Sequence, residues 1–469
     1  MWLFDKLMNR DKKGIWEDVE ISPVVARSIQ DCLNAFYFVP GWKSKVRQLS
    51  GLPTIITNYI SVLATTELEI SCGTGARAEW LAEAIKPMQR NMQRAVQLAA
   101  AGGELVIRPY LDHDANTIGF DFVQAGRFFP TRIGENGKVV AGFFCDYLDN
   151  RQGKFLRIES FDFNGGVLSI TNKAYRNRGD ELSAEIPLTS VEEWAYIEPE
   201  FTVHNVSGPL FGVIKMPFVN TVDDSSKLPV SLYANALDNM REFDFLYQEF
   251  LYEYHSGKRK RIVERDAIRP KAKKDGMPGG IPVGLTYSDI STDNYIVVDP
   301  NEQAKPFDDY TPQIRSEDYL KGLKTTLAMI ENQCYLSPGT LAIDDRTGAV
   351  TATQVISDDR TTYNTCNAIQ QQGMEQGILD ALTACNVLAD LYELAPAGEF
   401  NPSVTFGDSV FEDTAQEFSR QLSLVQGGYL KPEVLLSWYF HCDEETAVQK
   451  YLASQSSNND FPDLLGGGT

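Results

Sequence analysis

Residues 232–274 read LYANALDNMREFDFLYQEFLYEYHSGKRKRIVERDAIRPKAKK. The first half has a helical period, with Phe243, Tyr247, Phe250 and Tyr254 recurring at three- and four-residue intervals. Asp238, Glu242, Glu249 and Glu253 form an acidic ridge elsewhere on the same helix. Such a pattern packs its apolar stripe on another helix and leaves the ridge to solvent. Gly257 ends the run, and the composition then breaks sharply. Lys258, Arg259, Lys260, Arg261, Arg265, Arg269, Lys271, Lys273 and Lys274 fall in one window with only Glu264 and Asp266 as acids, net +7. DGMPGGIPVG follows, then short strand-like runs such as Tyr295–Val298. Residues 258–315 therefore read as a small separate module between helices.

Toward the C-terminus, Ser316 with Glu317 and Asp318 opens a second helix carrying Leu320, Leu323, Leu327 and Ile330. It ends before Leu336-Ser337-Pro338-Gly339. A polar loop, Asp344–Val350, leads to a capping-box spacing at Thr351 and Gln354 and a helical pattern unbroken until Pro396. About 40 residues at 1.5 Å each would span roughly 60 Å, a rod that traverses an assembly instead of closing a compact domain. Gly373 and Gly377 are its expected bend points. A strand at Val404–Phe406, a helix over about 412–426, further helices after Pro432 and a disordered tail from Ser454 complete the chain.

Toward the N-terminus, Ser22-Pro23 reads as a cap and first helical residue, with Val25, Ile29, Leu33 and Phe36 on one face. Pro53 opens a helix facing Ile56, Tyr59, Ile60 and Leu63 inward. A third helix is expected over Glu79–Ala101, kinked at Pro87 and stopped by Gly102. The period then changes to two. Leu105–Leu111, Thr117–Val123, Val139–Leu148, Lys154–Phe163 and Val167–Tyr175 read as one antiparallel meander.

The 469 residues are 43% apolar and 23% charged, enough for about two to four domains and a large core. Formal charge is -21 and the pI near 4.7, the wrong balance for a protein that coats nucleic acid through clustered cations. Seven scattered cysteines without a CxxC argue against a disulfide framework or zinc ribbon and fit a reduced, intracellular setting. No signal peptide and no apolar run of membrane-spanning length is expected. Gly73-Thr-Gly75-Ala-Arg-Ala78 sits between a strand-like and a helical run, as in a dinucleotide site, but the hairpins that follow disfavour a parallel sheet. Asp112-His113-Asp114 has the composition of a turn. No P-loop, GxSxG, nucleophile–base pair or metal spacing occurs, so the sequence argues against catalysis and implies neither cofactor nor metal.

The stretch Tyr310–Thr365, containing TPQIRSEDYLKGL, YLSPGTLAIDDRTG and AVTATQVISDDRTTYNT, resembles the portal (connector) proteins of tailed double-stranded DNA bacteriophages. The similarity is to the minor-capsid type of long-tailed phages that infect Gram-positive hosts. SGPLFGVIKMPFVN, YANALDNMREFDFLYQEF, FGDSVFED and GGYLKPEVLLSWYF resemble the family in the same order, over roughly residues 200–450.

The resemblance implies an α+β portal fold. An N-terminal arm and mixed α/β wing would occupy 1–239, a first stem helix 240–257, a clip 258–315 and a second stem helix 316–334. The tunnel loop, long wing-crossing helix and returning strand would occupy 335–411, and the helical crown and tail 412–469. Asp344, Asp345, Arg346, Thr347, Gly348, Ala349 and Val350 would face DNA, and the nine cations of the 258–274 window would form a clip patch. The implied assembly is a homo-oligomeric ring, a homododecamer at one capsid vertex, assembled in host cytoplasm and threaded by double-stranded DNA. Its implied partners are the terminase large subunit, a head–tail adaptor, and the major capsid and scaffolding proteins, with no membrane. A largely acidic wall suits this task, because DNA carries one charge per ~1.7 Å and a continuously basic tunnel would stall it. The competing readings are another virion structural protein, such as a head–tail connector or scaffold-associated factor, and a nucleotide-dependent enzyme using Gly73–Ala78.

Overall fold

Ser22 and Pro23 start the first described helix as their chemistry requires. In the computed structural model, Ser22 Oγ accepts a hydrogen bond from Val25 N–H at 3.3 Å and Pro23 is the first residue of α1 (Pro23–Phe36). The structure describes residues 19–112, 115–135, 137–178, 181–257, 260–264, 295–298, 307–310, 313–341, 360–407, 414–440 and 444–455. Helix α2 (Leu52–Thr65) follows, with Ile56 and Ile60 fully buried.

The single kinked helix expected over Glu79–Ala101 is instead three: α3 (Ala76–Ala84), α4 (Lys86–Arg90) and α5 (Met92–Gly102). Pro87 lacks an N–H and its ring obstructs the preceding turn, so the chain restarts rather than bends. The second break, at Asn91, is held by its Nδ2–H donating to Pro87 O at 2.8 Å. The stripe Leu81, Ile85, Met88, Met92 and Val96 is nevertheless buried throughout. The breaks change the path without exposing the face.

All five expected strands form, but not as one meander. Strands β2 (Glu104–Asp112) and β3 (Thr117–Gln124) pair with each other, and the other edge of β2 takes β10 (Gly212–Lys215). A separate antiparallel sheet runs β4 (Phe128–Ile133), β5 (Val139–Asn150), β6 (Gly153–Asn164), β7 (Val167–Arg178) and β8 (Glu181–Ile186), with β9 (Glu200–His204) also on β7. Strand β4 carries Pro130 and shifts register against β5 beside it, so its sequence does not alternate cleanly. Strand β1 (Leu68–Ser71) pairs antiparallel with β14 (Ser403–Phe406), bringing distant parts of the chain together.

The two larger sheets meet through rings and charges. Phe128, Phe144, Phe161 and Phe211 pack with centroid separations of 4.7 to 5.8 Å. Arg108 of β2 lies over the Phe144 ring and bonds Glu159 at 2.6 Å and Asp121 at 2.8 Å. Arg157 bonds Asp146 at 2.6 Å. Burial alone would raise the Asp146 carboxyl, but Arg108 and Arg157 hold it below its ordinary range.

The long helix is also packed, not free. Its described part runs through α8 (Arg360–Ala368), a π-helical stretch Ile369–Met374 and α9 (Glu375–Leu391). Gly377, Ile378, Ala381, Leu382, Cys385 and Leu388 are buried in the body of the same chain. Gly373 and Gly377 are not simple bend points. A Cβ on Gly373 would strike Lys215 O, one on Gly377 would strike Val213 O, and one on Gly212 would strike Gly377 O. Their role is to let helix and strand touch backbone to backbone.

Gly377→Ala should destabilise the protein by about 2–4 kcal/mol in urea unfolding, since the obstructing atom is backbone and cannot rotate away. Glu104, buried on β2 opposite Lys215 of β10, is pushed up to about 7 by burial, with Lys215 opposing. Its folded form keeps a proton that the unfolded chain has lost, so its contribution is most favourable in acid and declines as pH rises through 7. Glu104→Gln should therefore raise the melting temperature by several degrees near pH 8 and leave it little changed near pH 4.

Candidate functional site

Helix α6 (Leu237–Ser256) and helix α7 (Ser316–Gln333) overlap the stretches read as stem helices. They run antiparallel. Asn239 Nδ2 near the start of α6 donates to Gln333 Oε1 at the end of α7 at 2.8 Å. At the other end, Arg315 bonds Glu253 at 3.0 Å and Phe250 lies 6.5 Å from Tyr319 between ring centroids. The hydrogen bond from Arg315 holds the Glu253 carboxyl below its ordinary range. Glu253 is thus turned into the helix pair and leaves the ridge, whereas Asp238, Glu242 and Glu249 remain exposed. Of the aromatic stripe, Phe243 is buried and Tyr254 is 44% exposed. At 20 residues and 1.5 Å each, α6 is about 30 Å long.

Between the two helices the chain forms a three-stranded sheet of β11 (Lys260–Glu264), β12 (Tyr295–Val298) and β13 (Phe307–Tyr310). β11 is central, parallel to β12 and antiparallel to β13. Lys260 stands in register with Tyr310, and Arg261 with Tyr295 and Asp309. Lys258, Arg259, Arg265, Arg269, Lys271, Lys273 and Lys274 of the basic window lie outside the described residues. So do all of Asp344–Val350, and the Thr351/Gln354 cap.

What the structure does describe is the foot of that loop, which has anchors beyond those expected. The carboxylate of Glu331, 3% exposed, accepts from Gly339 N–H at 2.9 Å and from Leu341 N–H at 2.6 Å. Ser337 N–H donates to Thr362 Oγ1 at 2.8 Å and Thr362 N–H donates back to Ser337 Oγ at 3.0 Å. Thr365 Oγ1 donates to Tyr335 O at 2.8 Å, and Tyr335 takes a left-handed backbone while stacking on Phe218 at 4.6 Å. Chain entering and leaving 342–359 is thereby tied at one place. Sequence reading passed over Glu331, Ser337, Thr362 and Thr365, because a polar residue reads as solvated until partners 8 to 30 residues away are known.

The dinucleotide-like motif takes a different role. β1 and β14 form a two-stranded antiparallel pair, not a parallel sheet. Arg77, inside the motif, is 5% exposed and bonds Asn386 Oδ1 and Asp390 at 2.7 Å each. It ties α3 to the long helix. Asp112 Oδ1 accepts from Ala115 N–H at 3.1 Å, as a turn residue does. Burial pushes the thiols of Cys32 and Cys366 up to about 12 and raises Cys145, Cys334 and Cys385 as well, so these sulfurs are held protonated. Among the described residues no cluster of three or more metal-ligating side chains occurs, and no helix is long and apolar enough to cross a membrane.

Glu331→Ala should cost about 2–4 kcal/mol, since it leaves two backbone donors without their charged acceptor. It should also raise hydrogen exchange at Gly339 and Leu341 more than in the core of α7. Glu331→Gln, with one acceptor oxygen, should fall between the two.

No protein-family model matches the chain, and no curated protein matches it. Among solved structures, the chain is similar to a chain in the neck of an empty GTA particle computed with C6 symmetry. That likeness has 11% identity, covers 87% of this chain and 92% of the other, and has a TM-score of 0.40. A chain in the neck of a native GTA particle computed with C12 symmetry is similar at 11% identity over the same shares, with a TM-score of 0.36.

Proposed function

We propose that this chain is a non-catalytic portal subunit of a tailed double-stranded DNA phage. Copies form a ring at one capsid vertex, through which DNA is packaged and ejected and on which the terminase and head–tail adaptor dock. The observation that carries the reading is the antiparallel pair α6/α7 bracketing a separate three-stranded sheet. After it come a segment tied at its foot, a long helix entering an α+β body, a returning strand and terminal helices. That order is the one implied by the resemblance of Tyr310–Thr365 and its neighbours to portal proteins.

The physics of the elements suits a conduit. The stem pair runs about 30 Å, with cross-helix contacts at both ends and a buried Met240, Phe243, Leu323, Leu327 and Ile330 seam. Its exposed acids do not grip phosphate. The basic window, concentrated at the tip by ring symmetry, sums its positive field there and attracts an acidic motor, an adaptor or DNA phosphates.

Imaging of purified protein by negative stain should show closed rings with a central hole; an asymmetric monomer that only binds a virion partner would instead favour a head–tail connector or scaffold-associated factor. Replacing Lys258, Arg259, Lys260 and Arg261 with Gln should spare the ring and lower packaging, with the deficit shrinking as salt screens the parent. Deleting Arg346–Ala349 should likewise spare the ring and change DNA retention. A deletion that packages and holds DNA like the parent reduces 344–350 to a connector.

A further inference from the structure

Residues Trp42–Ser50 form a strap laid against α6. Its mount is polar and buried. The carboxylate of Asp244, 4% exposed, accepts from Trp42 Nε1–H at 2.9 Å and from Ser50 N–H at 2.8 Å. Gln248 Oε1 accepts from Arg47 N–H at 2.7 Å. Held in this way, the strap presents Lys43, Lys45 and Arg47, all exposed. None of the three has an ion pair among the described residues. Arg77, Arg108, Arg132, Lys138, Arg157 and Arg315 each lie 3.0 Å or less from a carboxylate. Arg90, Arg94 and Lys227 are also without an ion pair among the described residues, but the strap gathers three such cations within five residues. Three unpaired cations on a rigid mount, in a chain of charge -21, call for a partner of negative charge.

The same helix offers that charge on another side. At 3.6 residues per turn, Asp238, Glu242 and Glu249 stand about 120° around α6 from Asp244 and Gln248. Arg241 bonds Asp238 at 3.2 Å and Glu242 at 3.5 Å, while Glu249 has no ion pair among the described residues, so this face stays negative. The third side of α6 is covered by α7. Strap and acidic face occupy the same length of the helix. A closed ring has no translation along its axis, so complementary patches on successive copies must lie at one height and on different sides of the subunit. Both conditions are met for an axis running along α6. The surroundings favour protein over nucleic acid: Tyr37, Phe38 and Val39 precede the strap at 52%, 44% and 43% exposure, and Tyr252 on α6 is 61% exposed.

We propose that Lys43, Lys45 and Arg47 of one copy dock on the Asp238, Glu242 and Glu249 face of α6 in the next copy, as the electrostatic part of the ring contact. This rests on the ring reading above and adds to it which surfaces meet.

The test is a charge swap in the full chain, read by imaging and sedimentation, with circular dichroism to check folding. Lys43→Glu, Lys45→Glu and Arg47→Glu together should lose the ring and keep the parent's spectrum, and so should Asp238→Lys, Glu242→Lys and Glu249→Lys together. Both triples in one chain should regain rings, a recovery that a folding defect would not show. Rings formed by the strap triple as readily as by the parent at low salt, or no recovery in the combined chain, would overturn the contact while leaving the ring reading intact. A strap triple that keeps its rings but loses binding to a labelled DNA duplex would overturn it in favour of a nucleic-acid contact. A parent that forms no ring at high concentration overturns the ring reading and this contact with it.

Discussion

Helix α9 and strand β10 meet at backbone distance, and the body of the molecule is arranged around that contact. Gly212 on the strand and Gly373 and Gly377 on the helix remove the three side chains that would hold them apart. Because β10 is also the edge partner of β2, the helix lies directly over the sheet's interior face. Ile378, Ala381, Leu382 and Cys385 then reach the core that β2 and α5 also line. The π-helical stretch falls where the helix passes Lys215, the place where its turn must widen to follow the strand.

Charge is handled by sorting. The body neutralises its interior cations locally, with Arg108 and Arg157 enclosed by Asp121, Asp146 and Glu159, and Arg77 held by Asn386 and Asp390. Such pairs add little net stability over apolar packing, but removing one partner would strand a buried charge. They join separate elements: β2 to β3, β5 and β6, and α3 to the long helix. On the helix pair, the charge that remains at the surface is divided: an excess of acid on one side of α6, with Arg241 its only ion-pair partner among the described residues, and the strap's cations on another.

The same logic governs the loop foot. Glu331 and the reciprocal Ser337–Thr362 bonds spend buried polar groups on backbone donors, fixing where the chain leaves α7 and where it enters the long helix. Whatever the intervening segment does, its ends do not move independently.

By itself, the sequence determined many of the elements. The cap at Ser22, the aromatic period of α6, the two-residue period of β2, β3, β5, β6 and β7, and the compositional break after Gly257 are local signals with local causes. So is the expectation of a small strand-bearing module between two helices. The tertiary structure alone decided the partners. Nothing local says that the meander breaks after β3, or that the free edge of β2 is taken by β10, because that choice depends on a four-residue strand about 100 positions away. Nothing local marks Gly377 as a contact instead of a bend, or Arg77 as a clamp instead of part of a phosphate loop. Glu331 and Asp244 read as ordinary helix acids, yet they are buried acceptors whose donors come from other segments. A residue's period reports which face it occupies; what covers that face is set by long-range packing, and that decided where each polar group found its partner.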